Sequence, residues 1–248
     1  PSYVLEAKRG MEWIVSENTD KAAIKAAVVY QNDDYGKDGL AGWKAAAEAH
    51  GVTIVSEQAV SPGQKDFTAV VSALKEAGAS HVLLTVLPSA TGPILGTSAK
   101  LKFMPQWLGS TPAWIDAFYK ALPAAVCTNY YQLSGTPFWG EDLPGMKEFE
   151  ASVAKYAPDQ SPDFYVLVSY IQGLSELEVA SNAISNGDIS RAGYMKALSS
   201  VDGWNAGGLI QPISLKSFPY ETGKSVRVLK PDFENRSWTV VSDYAEVK

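Results

Sequence analysis

Val28-Val29-Tyr30-Gln31-Asn32-Asp33-Asp34-Tyr35-Gly36-Lys37-Asp38-Gly39-Leu40 passes from an apolar run through an acidic turn to an aromatic residue at the head of a helical pattern. The order reads as strand, turn and helix. In open α/β sheets small ligands settle in the crevice at the carboxyl ends of the strands, where such turns lie. Tyr35 is therefore the first candidate for contact with a ligand.

Upstream, Val4, Ala7, Met11, Ile14 and Val15 recur at helical spacing, predicting an amphipathic helix over 3–18 with its charged residues on the other side. Downstream, Leu40, Trp43, Ala46 and Ala47 share one face of a helix over 35–50 that Gly51 ends. Residues 52–60 read as a strand, and Asp66 is placed to cap a helix over 67–77 carrying Phe67, Val70, Val71 and Leu74. The nearly all-apolar run 81–87 suits a strand covered on both faces. A helix over 91–101, a strand over 106–109, a helix over 112–122 with Pro112 near its first position, and a strand over 125–133 continue the alternation. The fold class predicted is α/β, a mostly parallel, doubly wound sheet with helices on both faces.

The Gly- and Pro-punctuated link over 134–140 changes the pattern. Helices follow without strands, over 143–156, 164–185 and 191–198, the second with Val168, Ile171, Leu174 and Leu177 on a broad apolar surface. Such helices need a partner surface. The tail, with Leu209, Ile210 and Ile213, then 226–229 and 238–241 about a polar turn at 231–236, reads as strands ending in a hairpin.

Composition narrows the function classes. The 248 residues are 46% hydrophobic and 19% charged, enough for one large domain or two lobes with cores. A net charge of −6 argues against binding a phosphate backbone, so no nucleic-acid partner is expected. No apolar stretch approaches the roughly 20 residues that cross a bilayer, and residues 1–8 do not read as a signal peptide. A single cysteine, Cys127, permits no intrachain disulfide, and His50 and His81 stand far apart as structural residues. Asp33-Asp34 reads as a solvated cap without a third ligand, so neither a metal nor a cofactor is expected. An enzyme on this sheet would want a glycine-rich phosphate loop after the first strand. Gln31-Asn32-Asp33-Asp34 would instead repel pyrophosphate, and no Ser-His-Asp set is available, so the chain is not read as an enzyme.

Four segments together resemble a known family: residues 28–40; the link Ser61-Pro62-Gly63-Gln64-Lys65-Asp66-Phe67; the strand entry Ala77-Gly78-Ala79-Ser80-His81-Val82; and the helix over 164–178. The chain resembles the type I periplasmic binding proteins, in particular the branched-chain amino acid (Leu/Ile/Val-binding-like) solute-binding proteins of ABC transporters. The resemblance implies two α/β lobes that close on a ligand in the cleft between them. The opening helix looks like the first helix of the second lobe, so most of the first lobe is missing. On this reading 1–135 form the second α/β lobe, 136–205 a helical segment that packs on the first lobe, and 206–248 strands that return to the second. The missing first-lobe segment, or another chain, would cover the helices. The implied function is the solute-binding component of an ABC importer, with a membrane permease as partner. It would hold an amino acid or an apolar or aromatic carboxylic acid without chemistry. Localisation would be periplasmic or extracellular, with a signal peptide in the precursor and a lipid anchor as one form of it. The alternative on the same fold is the ligand-sensing ectodomain of a receptor.

The resemblance places the ligand-facing positions at Tyr35, at Leu87, Pro88 and Ser89, and at Ser110, Thr111 and Trp114. In amino-acid-binding relatives an aromatic matching Tyr35 packs on the ligand, and an acid matching the Ser110-Thr111 turn receives its ammonium. That turn has no acid here, which points away from simple α-amino acids, because a buried unpaired ammonium is costly. Ser89, Thr91 and backbone N–H groups at a helix start remain able to take a carboxylate. Each residue also has a structural role to fill: sheet-edge packing for Tyr35, N-capping for Ser89 and Thr111, core packing for Trp114, hinge packing for Phe138 and Trp139.

Overall fold

The computed structural model describes residues 1–161, 163–218 and 223–247; positions 219–222 and 248 of the tail read as 206–248 lie outside the described residues. The chain divides into two units, Pro1–Ser134 with the segment from Val226 onward, and Gly135–Ser225. Residues 206–225 thus group with the helices.

The first unit alternates helix and strand as α1 (Tyr3–Glu17), β1 (Lys25–Gln31), α2 (Asp34–His50), β2 (Thr53–Val60), α3 (Thr68–Glu76), β3 (His81–Thr85), α4 (Pro88–Lys100), β4 (Gln106–Gly109), α5 (Phe118–Ala121) and β5 (Tyr130–Ser134). The sheet order is β2-β1-β3-β4-β5, all parallel, continued by β8 (Ser225–Asp232), antiparallel to β5, and β9 (Ser237–Glu246). Successive strand residues face opposite sides. Val29, Val82, Leu84, Trp107 and Tyr130 pack with Phe67, Leu74 and Ile94 of the α3 and α4 layer. Val28, Leu83, Leu108 and Leu133 pack with Met11, Ile14 and Trp43 of the α1 and α2 layer. The strands are apolar on both faces for that reason, as expected for a parallel sheet.

Local signals explain the element ends. Asp33 caps α2, its Oδ1 accepting from the Gly36 N–H at 3.0 Å, and Gly51 ends the helix at φ +69°. Asp66 accepts from the Thr68 N–H at 2.8 Å. Four expectations need correction. Helix α4 starts at Pro88, earlier than expected, because proline suits the first helical position. The helix expected over 112–122 is a 3-10 turn, Thr111–Ala113, followed by the short α5, since Trp114 is extended (φ −112°, ψ 151°) and turns its ring into the core. The strand expected over 125–133 begins only at Tyr130, after a 3-10 turn over Ala124–Cys127 that follows Pro123. Finally, α1 does not turn all its charges outward: Glu6 and Arg9 are buried. The Arg9 guanidinium donates to the Val226 carbonyl at 3.2 Å and to Ser242 Oγ at 2.5 Å, tying α1 to the returning strands.

The second unit holds α6 (Pro144–Tyr156), α7 (Phe164–Ser185), α8 (Arg191–Leu198) and a two-stranded ladder of β6 (Asp202–Trp204) and β7 (Ile213–Ser214). Met146, Phe149, Leu167, Ile171 and Leu209 form one small core, and Val179, Ala183, Ala197 and Val201 a second. Leu177 and Ile184 of α7 stay exposed at 62% and 66%.

The start of α2 lies so close to β1 that a Cβ on Gly36 would meet the Gln31 carbonyl oxygen at 1.9 Å, whereas one on Gly96 of α4 would meet nothing within 4 Å. Gly36→Ala should therefore destabilise the protein by about 1–3 kcal/mol. Gly96→Ala should be neutral or stabilising by up to ~1 kcal/mol. Urea unfolding of the two variants beside the parent checks the contrast.

Candidate functional site

The carboxyl ends of β1, β3 and β4 bring Tyr35, Val86-Leu87 and Ser110-Thr111 together. Tyr35, in the first turn of α2, has a half-buried ring and a hydroxyl 2.6 Å from Ser110 Oγ and 3.3 Å from the Val86 carbonyl. Burial raises its pKa, with the Ser110 and Thr85 hydroxyls pulling the other way, so the phenol stays neutral. Thr85 lies near enough to act on Tyr35, yet its hydroxyl is buried without a hydrogen bond of good geometry.

The Ser110-Thr111 turn is tied down from three sides. Ser110 N–H donates to the Leu84 carbonyl at 3.0 Å. Buried Gln132 of β5 donates from Nε2 to the carbonyls of Ser110 (2.7 Å) and Thr111 (3.1 Å), while its Oε1 accepts from the Tyr130 hydroxyl at 2.5 Å. From α1, the Glu6 carboxyl accepts from the Thr111 N–H at 2.8 Å and contacts the Thr111 hydroxyl at 2.5 Å. One turn earlier on α1, the Tyr3 ring meets the Tyr35 ring edge-on, centroids 4.5 Å apart at 68°.

Glu6 and Tyr3 are the site residues that sequence reasoning missed. The turn itself holds no acid, as expected, but α1 brings one to it from 105 positions away. The available signal was the i, i+3 spacing of Tyr3 and Glu6 on the helical face that also carries Ala7. Glu6 is only 2% exposed and forms no salt bridge among the described residues. Burial pushes its carboxyl up from 4.5 to about 7, against the two Thr111 hydrogen bonds.

The other expected positions are placed as follows. Leu87 is exposed, Pro88 half-buried and Ser89 exposed, at the start of α4, which has no side-chain cap. Ser89 is the second helical residue and does not cap it. Thr111 spends its hydroxyl on Glu6 and the Leu133 carbonyl (3.1 Å) instead of on a helix. Trp114 takes the core role: it is 1% exposed among Phe118, Tyr119, Tyr130, Phe233 and Trp238, ring centroids 5.0–6.3 Å away. Asp33 is the cap of α2 and is also bonded by Gln31 Nε2 at 2.5 Å, which with the Gly36 N–H lowers its pKa.

A sequence profile described as periplasmic binding protein matches residues 1–218. The chain is 39% identical over 71 residues to Leu/Ile/Val-binding protein homolog 3 of Brucella melitensis, a stretch that is 29% of this chain and 18% of that protein. It superposes with a TM-score of 0.90 on a fatty acid ABC transporter substrate-binding protein from Thermomonospora curvata, at 24% identity over 98% of this chain and 63% of the other. A branched chain amino acid ABC transporter protein from Thermus thermophilus with bound valine gives 0.85 at 18% identity, over 99% and 65%. The chain thus spans under two thirds of the length of either structure, and the likeness to them is one of fold.

The raised Glu6 pKa has a definite sign. Between about pH 4.5 and 7 the folded chain keeps a proton that the unfolded chain has lost, so stability from this group is full at the acid end and falls as pH rises. Comparing urea unfolding at pH 5 and pH 8, wild type should lose roughly 1–3 kcal/mol relative to Glu6→Gln. Parallel pH profiles for the two proteins would contradict this assignment.

Proposed function

The chain belongs to the periplasmic binding protein family, and from that we propose that it is part of the solute-binding component of an ABC importer, holding a small organic ligand at the carboxyl edge of its sheet without chemical change. The observation that carries the reading is the convergence of Tyr35, Ser110 and the Val86 carbonyl from three strand ends on one hydrogen-bonded point. Small ligands bind such crevices. The Tyr35 ring supplies apolar contact. At the start of α4, which has no side-chain cap, Leu87 and Ser89 offer backbone N–H groups and Ser89 a hydroxyl to a ligand carboxylate, beside the Pro88 ring. The ligand class is an amino acid or an apolar or aromatic carboxylic acid.

Non-catalytic binding agrees with the state of the reactive side chains. Cys127 is buried with its thiol pushed up to about 12, and His81, its pKa lowered by burial, bonds Ser80 at 2.8 Å. The facing wall of the cleft would come from a first-lobe segment or a second chain, which would also cover the exposed α7 residues Leu177 and Ile184. Closure of the two walls on the ligand would be what a membrane permease recognises. On this reading the protein works in the periplasm or outside the cell.

Thermal-shift screening of the full-length protein against branched-chain and aromatic amino acids and their carboxylic-acid counterparts should find at least one stabilising ligand. Tyr35→Ala should weaken it about tenfold or more, and Tyr35→Phe, which keeps the ring, distinctly less. No stabilisation by any member, or unchanged affinity in Tyr35→Ala, would refute the reading.

A further inference from the structure

We propose that the amino ends of β3, β4 and β5 form a second binding site, for a small carboxylate with a flat apolar body. It lies at the opposite edge of the sheet from the Tyr35 crevice and does not depend on the function given to that crevice.

An open cavity of about 510 Å³ is found there, a volume within the range of small-ligand pockets. Register and alternation build it. His81 pairs with Gln106, and they stand two residues before Leu83 and Leu108, on the sheet face that α1 and α2 cover. Tyr131, two residues before Leu133, shares that face and meets the Trp13 ring at 4.8 Å. Phe103, Met104 and Pro105, in the loop that leads from α4 into β4, supply the rest of the apolar lining. Met104 is 39% exposed, so a polarisable thioether is open to a flat apolar partner beside the Phe103 and Tyr131 rings.

The polar groups set the sign of the ligand. His81 is 8% exposed. Its Nδ1 lies 2.8 Å from Ser80 Oγ, which already accepts from the Lys25 N–H at 2.9 Å. The other acceptors near the Ser80 hydroxyl, the carbonyls of Lys25 and Ala23, are 3.4 and 3.5 Å away, too far to compete. Ser80 therefore donates to Nδ1, burial keeps the ring neutral, and the ring proton sits on Nε2. Nε2 makes no hydrogen bond among the described residues and is not sealed from solvent. In the wall of the cavity it is an N–H donor without an acceptor. Lys102 also lines the cavity, exposed and in no salt bridge among the described residues. Its φ of +53° lies in the left-handed region that closes a helix end, where glycine is the unstrained choice and would bring no charge. A second cation, Lys230, stands 5.6 Å from the Tyr131 ring centroid. No Asp or Glu lines the cavity, in a chain whose net charge is −6. A buried donor, two cations and an apolar wall fit a carboxylate on an aromatic body and disfavour an ammonium.

The test is an NMR titration of the full-length protein, its methionine methyls isotope-labelled, with 2-naphthoate and its cationic counterpart 2-(aminomethyl)naphthalene. The Met104 methyl signal, identified by its loss in Met104→Leu, reports on this cavity directly. Naphthoate should shift it along a saturating curve, and the amine should not. Lys102→Gln should weaken naphthoate about threefold, the scale of an exposed charge pair. His81→Phe, which keeps a ring without the N–H, should weaken it about tenfold, and His81→Gln, which restores a donor, less. Tyr35→Ala should leave this titration unchanged, which separates the site from the crevice. A Met104 signal that stays put or drifts without saturating, an equal response to the amine, or loss of the response in Tyr35→Ala overturns the inference. Unchanged affinity in Lys102→Gln and in a folded His81 variant overturns it too. Each of those results leaves solute binding at the crevice untouched.

Discussion

A parallel sheet covered by helices on both faces has few places for polar chemistry other than its strand ends. Here β1, β3 and β4 spend their side chains on two apolar layers, one under α1 and α2 and the other under α3 and α4. Each strand then releases its chain into a turn at the same edge, and the polar groups of those turns must find partners there or face water. This constraint gathers Tyr35, Val86 and Ser110 at one point, with no motif of catalytic residues to draw them together. It also makes the edge a recognition surface, since groups packed this densely with mutual hydrogen bonds hold fixed directions.

The constraint explains which parts were legible in the sequence. Strands β1, β3 and β4 and helices α2 and α3 follow from their apolar patterns, because the strands are covered on both faces and the helices on one, and Asp33 and Gly51 mark the ends of α2 by local chemistry. The segment 112–133 did not follow. Trp114 satisfies a helical pattern equally well, but five aromatic rings, two of them from the returning β8–β9 hairpin, claim its side chain and extend the backbone. Such competition between local propensity and a distant packing partner leaves no mark in a window of neighbouring residues.

The candidate site divides in the same way. Tyr35, Ser110 and the start of α4 are readable because they follow directly on apolar runs that end in turn residues. Glu6 and Tyr3 are not, because a glutamate on a helix reads as solvated unless its partner is known, and that partner lies 105 residues on. Arg9 repeats the lesson, with its acceptors on Val226 and Ser242. A helical wheel assigns both charges to the outside, and tertiary hydrogen bonds overrule it.

Those two buried polar side chains give α1 a role beyond packing. Arg9 grips the Val226 carbonyl and Ser242 of the returning strands, and one turn earlier Glu6 grips Thr111. Helix α1 is therefore held at both points by hydrogen bonds whose loss would leave a buried polar group unsatisfied, which fixes its register against the sheet more tightly than apolar contact alone. A shift of α1 by even a fraction of a turn would pull Glu6 from Thr111 and Tyr3 from Tyr35 together. The geometry at the front of the turn thus depends on strands β8 and β9, remote in sequence and on the side of the sheet beyond β5. The return of the chain to this sheet completes its core and, through Arg9, sets the position of the acid that stands behind the site.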